Sequence, residues 1–174
     1  MNIVDRALEI ATEAHKGVFR WDGKTPYIEH PKAVADLAIK LLLDESYAST
    51  VEEYESLSGT NKVLVELIKI VSYAHDLVED VDKYINKEKE FVDELFKNSE
   101  HDLKNVEAFL IIDSLKRLNK HRHSDYLEFV LSAKEKMISR IVKTADLQHN
   151  LSDMKAKGSL SDKYKLALYI LTHV

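Results

Sequence analysis

The chain has 174 residues, 45% of them hydrophobic, which is enough for one sizeable core, and a single domain over residues 1–174 is expected. Four glycines and two prolines fall well below average usage, leave little turn punctuation for many short strands, and speak against an all-β fold. A net charge of -5 with a pI near 5.9 is opposite to the basic balance of a nucleic-acid binder, and the absence of cysteine removes disulfides, thiolate nucleophiles and Cys-ligated metals.

Apolar residues recur at helical spacing from Ile3 through Ala7, Ile10, Ala11 and Ala14, which predicts a first helix ending near Gly17. Residues 18–30 lack a period and hold Gly23 and Pro26, so a loop is expected there. Pro31 fits the first turn of a second helix, with Val34, Leu37, Ala38 and Leu41 on its buried stripe. From Asp44 to Asn61 the chain turns polar, with Gly59, Thr60 and Asn61 as a break and a cap. A longer helix is predicted over 62–81, buried along Leu64, Leu67, Ile68, Val71, Ala74 and Val78. The charged stretch 82–105 reads as a solvated loop with a short helix around Phe91 to Phe96. Helical patterns return at 104–118, 124–155 and 161–173, the last two preceded by Ser124 and Ser161 as candidate caps. The expected architecture is an all-α bundle of six to eight helices. No apolar run approaches the roughly 18 residues of a membrane span. Residues 1–6 do not read as a signal peptide, so a soluble, cytoplasmic protein with no membrane partner is expected.

One near match to a phosphate-binding loop is set aside. Gly17 to Thr25 has five residues between Gly17 and Gly23 where a P-loop has four, and it follows a helix rather than a strand. Two polar sets carry more. His75, Asp76, Glu79 and Asp80 end an otherwise apolar helical pattern and fall at roughly 0°, 100°, 40° and 140° around it, so all four share one side. Three carboxylates and an imidazole repel one another unless a cation sits among them, and imidazole with carboxylate oxygen suits divalent metals such as Mn, Fe or Zn. Taken alone, the patch also reads as a solvated acidic helix end. Lys143, Asp146, His149 and Asn150 interrupt a second apolar pattern of Ile138, Ile141, Val142 and Ala145. An acid there must face a cation or a partner, either a bound ligand or simply Lys143 on a surface. His30, ahead of Pro31, is a third candidate, although a single loop histidine is usually not a ligand.

Three strings now stand in order: His15, Gly17, Arg20, Gly23, Pro26, Tyr27, Ile28, His30 and Pro31; then His75, Asp76, Glu79 and Asp80; then Lys143, Asp146, His149, Asn150 and Leu151. In order and spacing the chain resembles the HD-domain hydrolases of the RelA/SpoT family, in particular its small stand-alone alarmone hydrolases. The resemblance covers residues 15–151 and leaves no room for a synthetase domain. It implies that His30, His75, Asp76 and Asp146 ligate one divalent metal, usually manganese in the family. It implies that Glu79 and Asp80 orient and activate the attacking water, that Arg20 packs on a nucleobase, and that Asn150 touches the ribose. Tyr164 resembles a nucleotide-contacting tyrosine of the last helix. Lys116 stands roughly where the family has a threonine-lysine pair, and Lys143 is a cation suited to phosphate charge. Val18, Trp21 and Asp22 depart from the family pattern, which bears on base recognition more than on chemistry.

The activity so implied is hydrolysis of the 3′-pyrophosphate of guanosine tetra- or pentaphosphate, with a small nucleotide as partner and no nucleic acid. Two alternatives stand beside it. One is a phosphohydrolase of another nucleotide, such as the 2′-phosphate of NADPH or a nucleoside monophosphate, and the other is a non-catalytic alarmone-binding regulator.

Overall fold

The computed structural model describes residues 2–44, 61–97, 105–154 and 158–173. Asn2 opens α1 (Ile3–Ala14) by accepting the Val4 N–H at 3.0 Å, and buries Ile3, Ala7, Ile10 and Ala11 as their spacing requires. Gly17, at φ 79°, lies three residues past α1, where a left-handed turn redirects the chain. The following loop is tied across itself: Arg20 N–H donates to Thr25 O at 2.8 Å, and Tyr27 N–H donates to Val18 O at 2.9 Å. Asp22 caps the tip by accepting from the backbone of Lys24 and Thr25.

Helix α2 (Glu29–Leu42) begins two residues before Pro31, so His30 sits in its first turn and not in the loop expected over 18–30. Helix α3 (Asn61–Ala74) buries Leu64, Leu67, Ile68 and Val71. It stops at Ala74, and after a turn at His75 and Asp76 a single turn, α4 (Leu77–Asp80), follows. The single helix expected over 62–81 is therefore two pieces. Helix α5 (Glu88–Phe96) is the short helix expected around Phe91, and α6 (Asn105–Leu118) leads into a 3₁₀ turn, Lys120–Arg122.

The pattern over 124–155 divides into α7 (Tyr126–Lys134) and α8 (Met137–Asp153). Neither Gly nor Pro marks the break. Lys136 is extended there, and the Ser139 hydroxyl satisfies the Ala133 and Lys136 carbonyls. Asp125, not Ser124, caps α7, while Ser124 bonds the Glu128 carboxylate in return. Helix α9 (Ser159–Thr172) starts after Gly158, which places Ser161 inside its first turn, buried, rather than at its cap. Eight of these helices have nine residues or more, and among the described residues there is no strand. The polar stretch and cap read over 45–60, and residues 98–104 of the charged stretch, lie outside the described residues.

Helices α3 and α8 are the axis of the bundle: α3 packs on α1, α2, α6 and α8, and α8 packs on α2, α3, α6, α7 and α9. Leu64, Ile68, Ile111, Leu115, Ile138 and Ile141 fill the space between them, each 2% exposed or less. No helix among the described residues is long and apolar enough to cross a membrane.

One buried ionic anchor fixes the turn after α6. Glu88 is 1% exposed and accepts from Asn119 Nδ2 at 2.9 Å and Arg122 Nε at 2.7 Å. Burial raises its pKa, and the bonds from Arg122 and Asn119 outweigh that, leaving it below the ordinary 4.5. A depressed carboxyl stabilises the fold above its unfolded value of 4.5, and that contribution is lost as pH falls through the lower folded value. Glu88→Gln should cost about 2–3 kcal/mol near neutral pH, below a fully buried pair because Arg122 is partly exposed. Denaturant unfolding at a series of pH values should find the wild-type advantage constant above about pH 5 and shrinking below it.

Candidate metal centre

Four polar side chains meet where α2, the end of α3 and α8 converge. His30, His75, Asp76 and Asp146 are all buried, the most exposed of them at 7%. His30 Nε2 lies 3.2 Å from Asp146 Oδ1 and 3.5 Å from Asp76 Oδ2, and His75 Nε2 lies 3.2 Å from Asp76 Oδ1 and 3.8 Å from Asp146 Oδ1. Ligand atoms of His30, His75 and Asp146 all fall within 4.8 Å of one another, so this buried group could hold a divalent metal.

The chain leaves the regular helix after Ala74. Consecutive residues of a helix diverge by about 100°, and across this turn His75 Nε2 and Asp76 Oδ1 come within 3.2 Å. The turn aims both inward, while Glu79, on α4, keeps its side chain 11% exposed and Asp80 is half exposed. The four residues predicted to share one side thus divide into a buried pair and a rim pair.

Each inner group has an outer partner that fixes its aim. His75 Nδ1–H donates to the Ser72 carbonyl at 2.7 Å, which turns Nε2 towards the carboxylates, and Nε2 is buried with no hydrogen-bond partner. An orphaned imidazole nitrogen beside two carboxylates is the donor arrangement a metal completes. His30 Nδ1 meets His149 Nδ1 at 2.8 Å, Tyr27 Oη donates to Asp76 Oδ2 at 2.8 Å, and Asp146 accepts from Lys143 Nζ at 2.9 Å and Asn150 Nδ2 at 2.6 Å.

The electrostatics follow the same pattern. Burial opposes the His75 imidazolium, but Asp76 and Asp146 more than offset it and push its pKa up to about 9. Burial works against the Asp146 carboxylate, and Lys143 with the two histidines overcomes it, holding Asp146 well below the ordinary carboxylate range. Burial raises Glu79, with Lys143 only partly offsetting it, so this acid moves towards neutrality.

The remaining predicted residues are placed as follows. Arg20 is buried, with Nη2 donating to Asn150 Oδ1 and Asp153 Oδ2 at 3.0 Å each, and its guanidinium lies 5.0 Å from the Trp21 ring and 5.7 Å from the Tyr27 ring. Asn150 thereby spans Arg20 and Asp146. Tyr164 is half-buried in α9, and burial together with the nearby Asp146 carboxylate raises its phenol. Lys116 is exposed on α6 and takes part in none of the bonds that hold the cluster. Lys120, one turn later, does: its backbone N–H donates to Glu79 Oε1 at 2.8 Å, and its ammonium lies 2.9 Å from Asp80 Oδ1.

Sequence reasoning did not assign Lys120, or the orienting roles of Tyr27, His149 and the Ser72 carbonyl. Tyr27 and His149 stood inside the recognised strings, but a hydrogen bond across 49 or 119 residues leaves no local pattern. Beside the cluster opens a cavity of about 390 Å³ lined by Arg20, Trp21, Glu29, His30, His149 and Asp153. A larger groove, about 750 Å³, runs between α1 and the turn near Tyr84, and contains none of the cluster. The smaller cavity is the one that reaches the cluster, at His30.

Comparison with protein-family models gives no match, and comparison with curated proteins gives none either.

Two outcomes follow from the outer partners. Tyr27→Phe keeps the ring against His15, 4.7 Å away, but removes the bond to Asp76, and should lower divalent-metal affinity about 10- to 100-fold with the helix content unchanged, as read by metal titration and circular dichroism. Because His75 is protonated below about pH 9 without metal, binding at neutral pH should release a proton. Affinity measured by calorimetry in buffers of different ionisation heat should therefore rise with pH and level off above about pH 9.

Proposed function

We propose that this protein is a divalent-metal-dependent phosphohydrolase of a small nucleotide, and that its substrate is guanosine tetra- or pentaphosphate, cleaved at the 3′-pyrophosphate. The observation that carries the reading is the buried quartet His30, His75, Asp76 and Asp146, with an orphaned imidazole nitrogen at its centre and two further carboxylates on its rim. The ordered resemblance of the three motifs to the RelA/SpoT hydrolases supports the choice of substrate and of manganese.

When bound by these four residues, a divalent ion supplies Lewis acidity that lowers the pKa of water and polarises a phosphoryl oxygen. The protein's own groups do the rest. Glu79, raised by burial and held by the Lys120 N–H, takes a proton from water. The water oxygen bonds to the phosphorus on the ribose 3′ oxygen, the bond from that phosphorus to the 3′ oxygen breaks, and the proton passes to the leaving oxygen. Guanosine tetraphosphate and water thus give GDP and pyrophosphate. Lys143, whose ammonium burial disfavours but Asp146 and Glu79 hold charged, offsets the charge of the phosphates. Arg20 positions Asn150 against Asp146, and the exposed Trp21 gives the cavity an aromatic wall suited to a base.

Incubation of the manganese-loaded protein with guanosine tetraphosphate should yield GDP and pyrophosphate with the 5′-diphosphate intact. Release of 2′-phosphate from NADPH, or of phosphate from a nucleoside monophosphate, with no action on the tetraphosphate would transfer the reading to the other nucleotide class. Asp76→Ala should lose metal and activity together. Glu79→Gln should keep its metal and lose about 10²- to 10⁴-fold in kcat, the usual worth of a general base. Full metal with near-normal kcat in that variant would refute the role given to Glu79.

A further inference from the structure

Polar atoms without partners gather on the side of Lys143 where α7 and α9 pack on α8. The Lys143 ammonium bonds Asp146 of the quartet at 2.9 Å and stands 4.6 Å from the centre of the Phe129 ring. Two further rings flank Phe129: Tyr126, with centroids 6.0 Å apart, and His123, at 5.6 Å. Tyr126 Oη and His123 Nε2 are each buried with no hydrogen-bond partner among the described residues. Lys163, from α9, holds its ammonium 3.7 Å from the centre of the Tyr126 ring and joins no ion pair among the described residues.

A buried hydroxyl that bonds nothing has lost its water without compensation, so a ligand that supplies an acceptor is stabilised beside it. Burial raises the Tyr126 phenol in spite of Lys143, so the hydroxyl keeps its proton and is a donor. The Lys143 ammonium and the Asp146 and Glu79 carboxylates act on the phenols of both Tyr126 and Tyr164, which puts this group beside the metal centre. Two ammoniums and a phenol O–H suit an anion with several acceptor oxygens, and phosphate is such an anion. Helix α8 orders the parts: His149 and Asp153 line the small cavity, Asp146 belongs to the quartet, and Lys143 reaches Phe129. From Lys143 to Asp153 the helix rises about 15 Å, room for a base, a ribose and two phosphate groups.

We propose that Tyr126, Lys143 and Lys163 form a phosphate subsite apart from the metal, and that it takes a second phosphate group of the nucleotide, on a ribose carbon other than the one whose phosphoryl is attacked. The ligand's identity rests on the phosphohydrolase reading above, which this narrows: the favoured substrates carry phosphate at two ribose positions. A nucleoside monophosphate leaves Lys163 and Tyr126 without a ligand.

Calorimetric titration of the metal-free protein with inorganic pyrophosphate tests the subsite without turnover. Wild type should bind, and Lys163→Ala and Tyr126→Phe should each weaken binding about 10-fold, as expected for one bond to a charged group. Lys40→Ala, which removes an exposed lysine from the last turn of α2, should bind as wild type does. With manganese added, the preference in kcat/KM for guanosine tetraphosphate over guanosine 3′-diphosphate, which has no 5′ phosphate, should fall about 10-fold in Lys163→Ala. No binding of pyrophosphate by wild type, or equal binding by wild type, Lys163→Ala and Tyr126→Phe, would overturn the subsite. Turnover of the tetraphosphate with an unchanged preference in Lys163→Ala would overturn it as well and leave the hydrolase reading standing. Pyrophosphate binding that both variants weaken, with no nucleotide turned over, would keep the subsite and remove the hydrolase reading.

Discussion

Burying two carboxylates and two imidazoles in the crossing of three helices is the constraint on which the rest of this structure depends. Each such group costs several kcal/mol to desolvate if it is left unpaired. The fold meets that cost with an outer ring drawn from every neighbouring element: Tyr27 from the loop before α2, the Ser72 carbonyl from α3, and Lys143, His149 and Asn150 from α8. Within the quartet, His75 Nε2 is fully buried and has no hydrogen-bond partner, and it faces the Asp76 and Asp146 carboxylates.

The outer ring also ties the wall of the small cavity to the buried quartet. Arg20 bonds Asn150, and Asn150 bonds Asp146, so the wall of the small cavity and the quartet are joined by two hydrogen bonds. On the other side, Glu88 anchors Asn119 and Arg122, and the turn between them delivers Lys120 to Glu79 and Asp80. A residue as remote from the chemistry as Glu88 thus sets the aim of the rim acids. Changes at Arg20 or Glu88 reach the centre through these chains, not through contact with it.

Charge bears on how the polyanionic substrate proposed above would meet an acidic protein. The quartet and rim concentrate negative charge at one point, and Lys120 and Lys143 are set against it at 2.9 Å each. A divalent ion added there reverses the local sign, so the field a phosphate meets is that of the ion with its lysines and not that of the whole chain at -5.

The all-α architecture was legible in the sequence because it depends on short-range periodicity: the stripe Leu64, Leu67, Ile68 and Val71 reports which face of one helix is buried, whatever it packs against. The three polar strings were legible for the same reason, each being local. What the tertiary structure alone decided is where the pattern breaks and what crosses it. Neither Gly nor Pro stands near Ala74, yet α3 ends there, and His75 and Asp76 in the turn that follows reach one cluster. Glu135 and Lys136 are likewise good helix formers, and the chain still turns there. Lys120 was hidden because its value comes from a turn fastened to Glu88, 32 residues earlier, and Lys116, on the more regular helical pattern, stayed in solvent. Periodicity encodes which side of an element is buried; the meeting of side chains far apart in the chain is fixed only when the elements pack.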